Sequence, residues 1–285
     1  MERFFWYPVL TMPKSLPSPW QLIVDSWTEY LRTWNDSMKV SIWFLYTGLI
    51  YFVLYLSIKL VPDMIYAGVF VAIGILVIWS WTITRLIDTC LRIDDGKKVD
   101  HSREGMIRSW KLVLPLFWVG ILQMLVLLGT FIPFLLWRFL APQFLYGILG
   151  LSGLQFILDL LLLPLIYISV RIGFSQIIAI DRGDRGMDAL ARSSDMTKGN
   201  FWQILLRQIS AAIVFGVGIW AVLAVVFIIL GMVVGPQKFI LLADPTMVDP
   251  LLLGVVALLE SIIQAIAMPL VLFFSVKLYK AFKTR

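Results

Sequence analysis

Six stretches of this chain run for 19 residues or more with at most one charged side chain. They are residues 40–58, 64–84, 112–137, 139–170, 208–237 and 250–276, interrupted only by Asp159 in the fourth and Glu260 in the sixth. About 20 mostly apolar residues make a helix long enough to cross the hydrocarbon layer of a bilayer. Inside that layer the backbone must satisfy its own hydrogen bonds, so such a run has few alternatives to helix. The whole composition agrees, at 60% hydrophobic and 15% charged residues. A water-soluble domain carries about 45–50% and about 25%. These values exclude a soluble globular domain and a disordered chain. A lone cysteine, Cys90, excludes an intrachain disulfide framework.

The net charge of +6 is explained by topology rather than by nucleic acid. Of the 24 Lys and Arg residues, 21 fall before the first run, between the second and third, between the fourth and fifth, or after the sixth. Only Lys59, Arg138 and Lys238 fall on the other side. The positive-inside rule then places both termini in the cytoplasm. Residues 1–17 do not read as a signal peptide. They read as an N-terminal tail whose Phe4, Phe5, Trp6 and Tyr7 rest at the bilayer interface. Residues 18–285 read as one membrane domain.

Three charged segments resemble one another. Aligned on Ser26, Ser109 and Ser193, they lie 83 and 84 residues apart. Trp27 and Trp110 follow the serine, with Ser194 in the third copy. Trp118 and Trp202 lie nine residues beyond it and Trp34 eight. A fixed period points to a repeated unit, with copies over about 18–98, 99–185 and 186–285. The expected fold is all-α: a polytopic membrane protein of six transmembrane helices in three repeats of an interfacial amphipathic helix plus a transmembrane hairpin. In the first copy Trp20, Ile23, Trp27, Leu31 and Trp34 recur at helical spacing behind a Ser18-Pro19 start signal. Met106, Trp110, Val113 and Phe117 form the second face, and Met187, Leu190 and Ser194 the third, with Gly199-Asn200 as its stop. Such helices lie in the headgroup plane or pack on the ends of the spans; the pattern alone leaves both open. Gly96 and Gly183 end the extensions of spans two and four. Arg85, Arg171 and Lys277 are placed to snorkel to the headgroups.

The segment ALARSSDMTKGNFWQIL (189–205) resembles a signature of the glycerophosphodiester phosphodiesterase membrane-domain family and related six-span bacterial inner-membrane proteins. Ala189, Leu190, Ser193, Thr197, Lys198, Gly199, Phe201 and Trp202 carry the likeness. The resemblance implies a polytopic protein of the bacterial inner membrane without a catalytic domain of its own, since in fused members the phosphodiesterase chemistry resides in a separate domain. It carries over no catalytic residue.

Candidate chemistry is sparse. Cys90 and His101 are single and both fall in polar sequence, which argues against a metal, haem or other cofactor site and against a histidine-dependent catalytic triad. Intramembrane acids are costly and mark functional sites by default, so Asp159 and Glu260 form a candidate polar site, with Gln155, Ser169, Ser261 and Gln264 as possible contributors. The aromatic residues Trp20, Trp27, Trp34, Trp110, Trp118 and Trp202 are the candidate contacts to lipid or partner. The expected function is a non-enzymatic accessory or scaffold protein of a larger membrane complex. Its expected partners are the lipid bilayer, other membrane subunits or further copies of itself, and no nucleic acid. The alternative is a transporter, channel or lipid-handling permease that uses the two acids.

Overall fold

The structure, a computed structural model, describes residues 16–61, 65–140, 163–234 and 250–283. Most of the N-terminal tail, the second and third outer loops and Asp159 lie outside the described residues. The described chain forms nine helices and no strand: α1 (Pro19–Arg32), α2 (Trp34–Leu60), α3 (Ile65–Asp94), α4 (Arg103–Leu140), α5 (Leu163–Ile172), α6 (Ser175–Arg182), α7 (Met187–Thr197), α8 (Phe201–Val234) and α9 (Pro250–Lys283). Six segments are long and apolar enough to cross a membrane: α2, α3, α4, the α5–α6 pair, α8 and α9. This is a helical membrane protein.

Local chemistry sets the helix ends. The Ser18 hydroxyl accepts a hydrogen bond from the Gln21 N–H at 3.1 Å, and Pro19 opens the first turn of α1. Gly96 adopts φ +69° just beyond α3. There the Gly96 N–H donates to the Ile93 carbonyl and the Lys97 N–H to that of Arg92, which satisfies two terminal carbonyls in a left-handed cap. Gly183 closes α6 in the same backbone region, at φ +77°.

The second copy departs from the expected unit. Its amphipathic segment runs into the third span as one 38-residue helix, α4. The first and third of the aligned segments break at Thr33 and Gly199 respectively. No Gly or polar turn separates Trp110 from the apolar run, and Pro115 is accommodated within the helix. The fourth span is instead divided, by a turn at Gly173-Phe174.

α2 and α9 run antiparallel in the most extensive helix contact among the described residues. A β-carbon on Gly48 would overlap the Ser261 side chain, and one on Gly254 would lie 3.2 Å from the Phe52 Cα. Small residues let two backbones approach this closely, where lipid supplies no hydrophobic drive to bring helices together. α3 packs on both. The core is one cluster that includes Phe44 of α2, Leu86 and Ile87 of α3, Val119 of α4, Phe174, Ile178 of α6, Ile204 of α8, and Phe273 and Tyr279 of α9. Most of it lies toward the charge-rich end of the bundle. Cys90, which its sequence neighbours suggested would be in a polar stretch, is fully buried in this core. It lies on the face of α3 that also presents Leu86, one helical turn away.

Candidate functional site

The three aligned serines are each completely buried. The Ser26 hydroxyl donates to the Leu22 carbonyl at 2.6 Å and that of Ser109 to the Gly105 carbonyl at 3.0 Å. Ser193 donates to the Arg171 carbonyl at 2.8 Å and accepts from the Phe174 N–H at 3.2 Å. It therefore fastens α7 across the turn that follows α5. The tryptophans that follow these serines face the other way.

α1 shows why. It buries Leu22, Ile23, Ser26 and Tyr30, and leaves Trp20 66% and Trp27 48% exposed. The Trp stripe is thus distinct from the stripe that packs, and only Ile23 belongs to both. Tyr30 is the anchor: its hydroxyl donates to the Ile266 carbonyl of α9 at 2.7 Å. That carbonyl lies one residue beyond Ala265, whose carbonyl loses its usual helical donor to Pro269. Burial pushes the Tyr30 hydroxyl up to about 12, so it remains a donor. Trp27 and Trp34 flank its ring at 6.1 and 5.1 Å between centroids.

Beneath the Trp stripe, α1, the start of α2, α8 and α9 line an open groove of about 690 Å³. Trp20, Trp27 and Trp34 line it from above, Phe215 and Val222 from α8, and Ile263 and Leu270 from α9. Arg207 of α8 ties down the entry to α1, donating to the Pro17 carbonyl at 2.9 and 3.2 Å. The other candidate tryptophans lie elsewhere. Trp110 stacks on the buried Trp81 at 5.7 Å. Trp118 lies against Gly186, before α7. Trp202 is 70% exposed beside Phe201.

The candidate acids are not brought together. Asp159 and Gln155 lie outside the described residues. Glu260 is on the exposed side of α9, and its side chain has no hydrogen-bond or ion-pair partner among the described residues. Its neighbour Ser261 turns inward and donates to its own helix, to the Ala257 carbonyl at 2.9 Å. Ser169 and Gln264 are exposed.

Charge instead concentrates where the sequence reading missed it. Arg85, expected to snorkel outward, is 3% exposed and donates to the Asp100 carbonyl, to the Gly105 carbonyl at 3.0 Å and to Ser109 at 3.2 Å. Capturing those acceptors within the protein replaces the headgroup contact. Asp88 lies among three guanidinium groups, at 3.6 Å from Arg85, 3.2 Å from Arg92 and 2.8 Å from Arg108. The i, i+3 and i+7 spacing of Arg85, Asp88 and Arg92 was the available signal. Arg171 reaches Ser194 at 2.6 Å and, along its own helix, the Tyr167 hydroxyl at 2.8 Å. Ser194, which aligns in sequence with Trp27 and Trp110, is thus the acceptor for Arg171.

The end of α9 completes this layer. Lys277 lies 3.5 Å from Asp94, Lys280 pairs with Asp95, and Lys283 lies 2.5 Å from Asp181. Asp181 also accepts from the Tyr279 hydroxyl at 2.6 Å. Hydrogen bonds from Lys280 and Lys97 hold the Asp95 carboxyl down at about 2. His101 is exposed, and its Nε2 lies 3.0 Å from the Asp36 carboxylate at the start of α2. Comparison with protein-family models, curated proteins and solved structures finds no match to this chain.

Proposed function

We propose that this protein is a non-enzymatic accessory or scaffold subunit of the bacterial inner membrane, with its charge-rich end in the cytoplasm and its Trp face turned toward a membrane partner. The observation that carries this reading is the split of α1 and the first turn of α2 into two stripes. One is consumed by packing on α9, while Trp20, Trp27 and Trp34 stay available over an apolar groove. Exposed tryptophan beside an apolar cleft is what recognition within a bilayer calls for, because the ring is apolar while its N–H can reach the headgroup layer. The likeness of residues 189–205 to a non-catalytic membrane domain supports the same reading. So does the charge-rich layer, whose strongest contacts join helix ends to one another.

The alternative use of intramembrane acids in transport has less support, since Glu260 converges with no other polar side chain among the described residues. The test is extraction of the intact protein from its native membrane in mild detergent, followed by mass spectrometry of what remains bound. A stoichiometric protein partner, lost on joint Trp20→Ala, Trp27→Ala and Trp34→Ala substitution and retained in Glu260→Gln, is the expected result. A protein that purifies alone, or one whose cellular role needs Glu260 and tolerates loss of the tryptophans, overturns the proposal.

A further inference from the structure

A second cavity, of about 480 Å³, opens at the charge-rich end, and the Trp-lined groove shares none of its lining residues. Four elements build it. α6 contributes Ile178 and Arg182, and α7 contributes Arg192, Asp195 and Met196. The turn before α8 contributes Lys198 and Asn200, and the end of α9 contributes Tyr279, Phe282 and Lys283. Four cationic side chains thus meet one carboxylate around a single concavity. Two of the cations are braced from outside the lining: Arg192 by Asp184 at 3.0 Å and Lys283 by Asp181 at 2.5 Å. A guanidinium braced by one ion pair keeps N–H donors for a ligand, and an ammonium has three. Arg182 and Lys198 have no carboxylate within 4 Å among the described residues.

Backbone geometry adds to the charge. Gly199, at φ +78°, turns the chain so that Lys198 and Asn200 both border the cavity as α8 begins. The first turn of α8 carries no acidic residue, and a helix N-terminus favours negative charge. A basic surface alone would follow from membrane topology. Convergence of cations from four elements on a cavity that also has the Asn200 amide and a helix start is a more specific arrangement. It suits a group with several anionic oxygens.

We propose that this cavity binds a phosphate group, presented by an anionic phospholipid headgroup or by a soluble phosphate compound. Basic pockets between spanning helices bind lipid phosphates in this way. Two arms distinguish the sources, both with the full chain at constant ionic strength. In neutral detergent, inorganic phosphate is titrated while thermal stability is followed. In nanodiscs of phosphatidylcholine with or without phosphatidylglycerol, retained lipid is counted by native mass spectrometry. Saturable binding in either arm is expected, and the arm that responds names the source. Arg182→Ala and Lys198→Ala should each weaken it about tenfold. Asp195→Asn, which removes the opposing carboxylate, should tighten it. Lys111→Ala, an exposed lysine of α4 outside the cavity, should leave it unchanged. Absence of saturable binding in both arms overturns the site, as does an equal loss in Lys111→Ala, which would mean diffuse surface attraction. Neither result bears on the Trp face, which is tested separately.

Discussion

The two halves of this bundle hold together in different ways. Toward the charge-rich end, α3, α6, α7 and α9 bury side chains as large as Phe273 and Tyr279 and tie their ends with ion pairs. Further along the spans, α8 presents Val217, Trp220, Val225 and Met232 outward, Met232 at 79% exposure. Within the spanning windows, 44% of α3 is buried but only 11% of α4 and of α8. Lipid tails are as apolar as leucine, so apolar side chains in the bilayer gain little by burial and can face outward. At the polar boundary water competes for every backbone and charged group, and those groups must find partners. Polar and charged contacts at the charge-rich end, and the close α2–α9 approach within the spans, should therefore hold the fold more than the outer face of α8 does.

The largest expected effect tests that claim directly. Asp88→Asn leaves Arg85, Arg92 and Arg108 facing one another without their shared counter-charge. It should cost about 3–5 kcal/mol, read as loss of stability in a denaturant titration of the detergent-solubilised protein. Val225→Ala, on the outer face of α8, should stay within about 0.5 kcal/mol. Equal costs at the two sites would break the comparison.

Glycine sharpens it next. Gly48→Ala forces a methyl group into Ser261 and should cost about 1–3 kcal/mol. Gly216→Ala on α8 meets nothing within 4 Å, and should be neutral or slightly stabilising. Thermal unfolding of both variants in one detergent checks the pair, and a costly Gly216→Ala would mean that α8 packs more tightly than described.

Tyr30→Phe removes only the hydroxyl that pins α1 to α9. A loss of about 1 kcal/mol is expected, with faster hydrogen exchange confined to α1. Unchanged exchange there would mean that apolar contacts alone hold the helix.

The smallest effect is a pH dependence. Asp95 has a folded pKa of about 2 against an ordinary value of 3.8. A carboxylate depressed on folding stabilises above its unfolded pKa, and that contribution is lost as pH falls through the folded value. The stability difference between the native protein and Asp95→Asn should therefore be constant near neutrality and shrink between about pH 4 and about pH 2. A difference that persists to the acid end would show that Asp95 acts through packing instead.

Much of this architecture was legible in the residues. Five of the charge-free runs coincide with described spanning helices, while most of the fourth, 139–170, lies outside the described residues and the segment described there is Leu163–Arg182. The Ser18-Pro19 pair starts α1, and Gly96 and Gly183 end helices as expected. The candidate site was less legible. Trp20, Trp27 and Trp34 were recognised as one stripe and do line one groove. The pattern leaves open whether that stripe meets lipid or packs on the spans, and the face of α1 that packs is a second one, with Leu22, Ser26 and Tyr30. Two apolar stripes of one helix look alike to periodicity when both contain large side chains. Arg85 was misread because nothing local announces that Gly105 and Ser109 will come within reach of its guanidinium.

What the chain determined by itself was the set of segments that cross the membrane, because that depends on transfer of each segment from water to lipid and needs no neighbour. What only the tertiary structure decided was the pairing: Asp88 with three arginines, Tyr30 with Ile266, and four cations around one cavity. Those contacts join positions up to 236 residues apart, and their energies exist only once helices that are separately stable in lipid have chosen which faces to bring together.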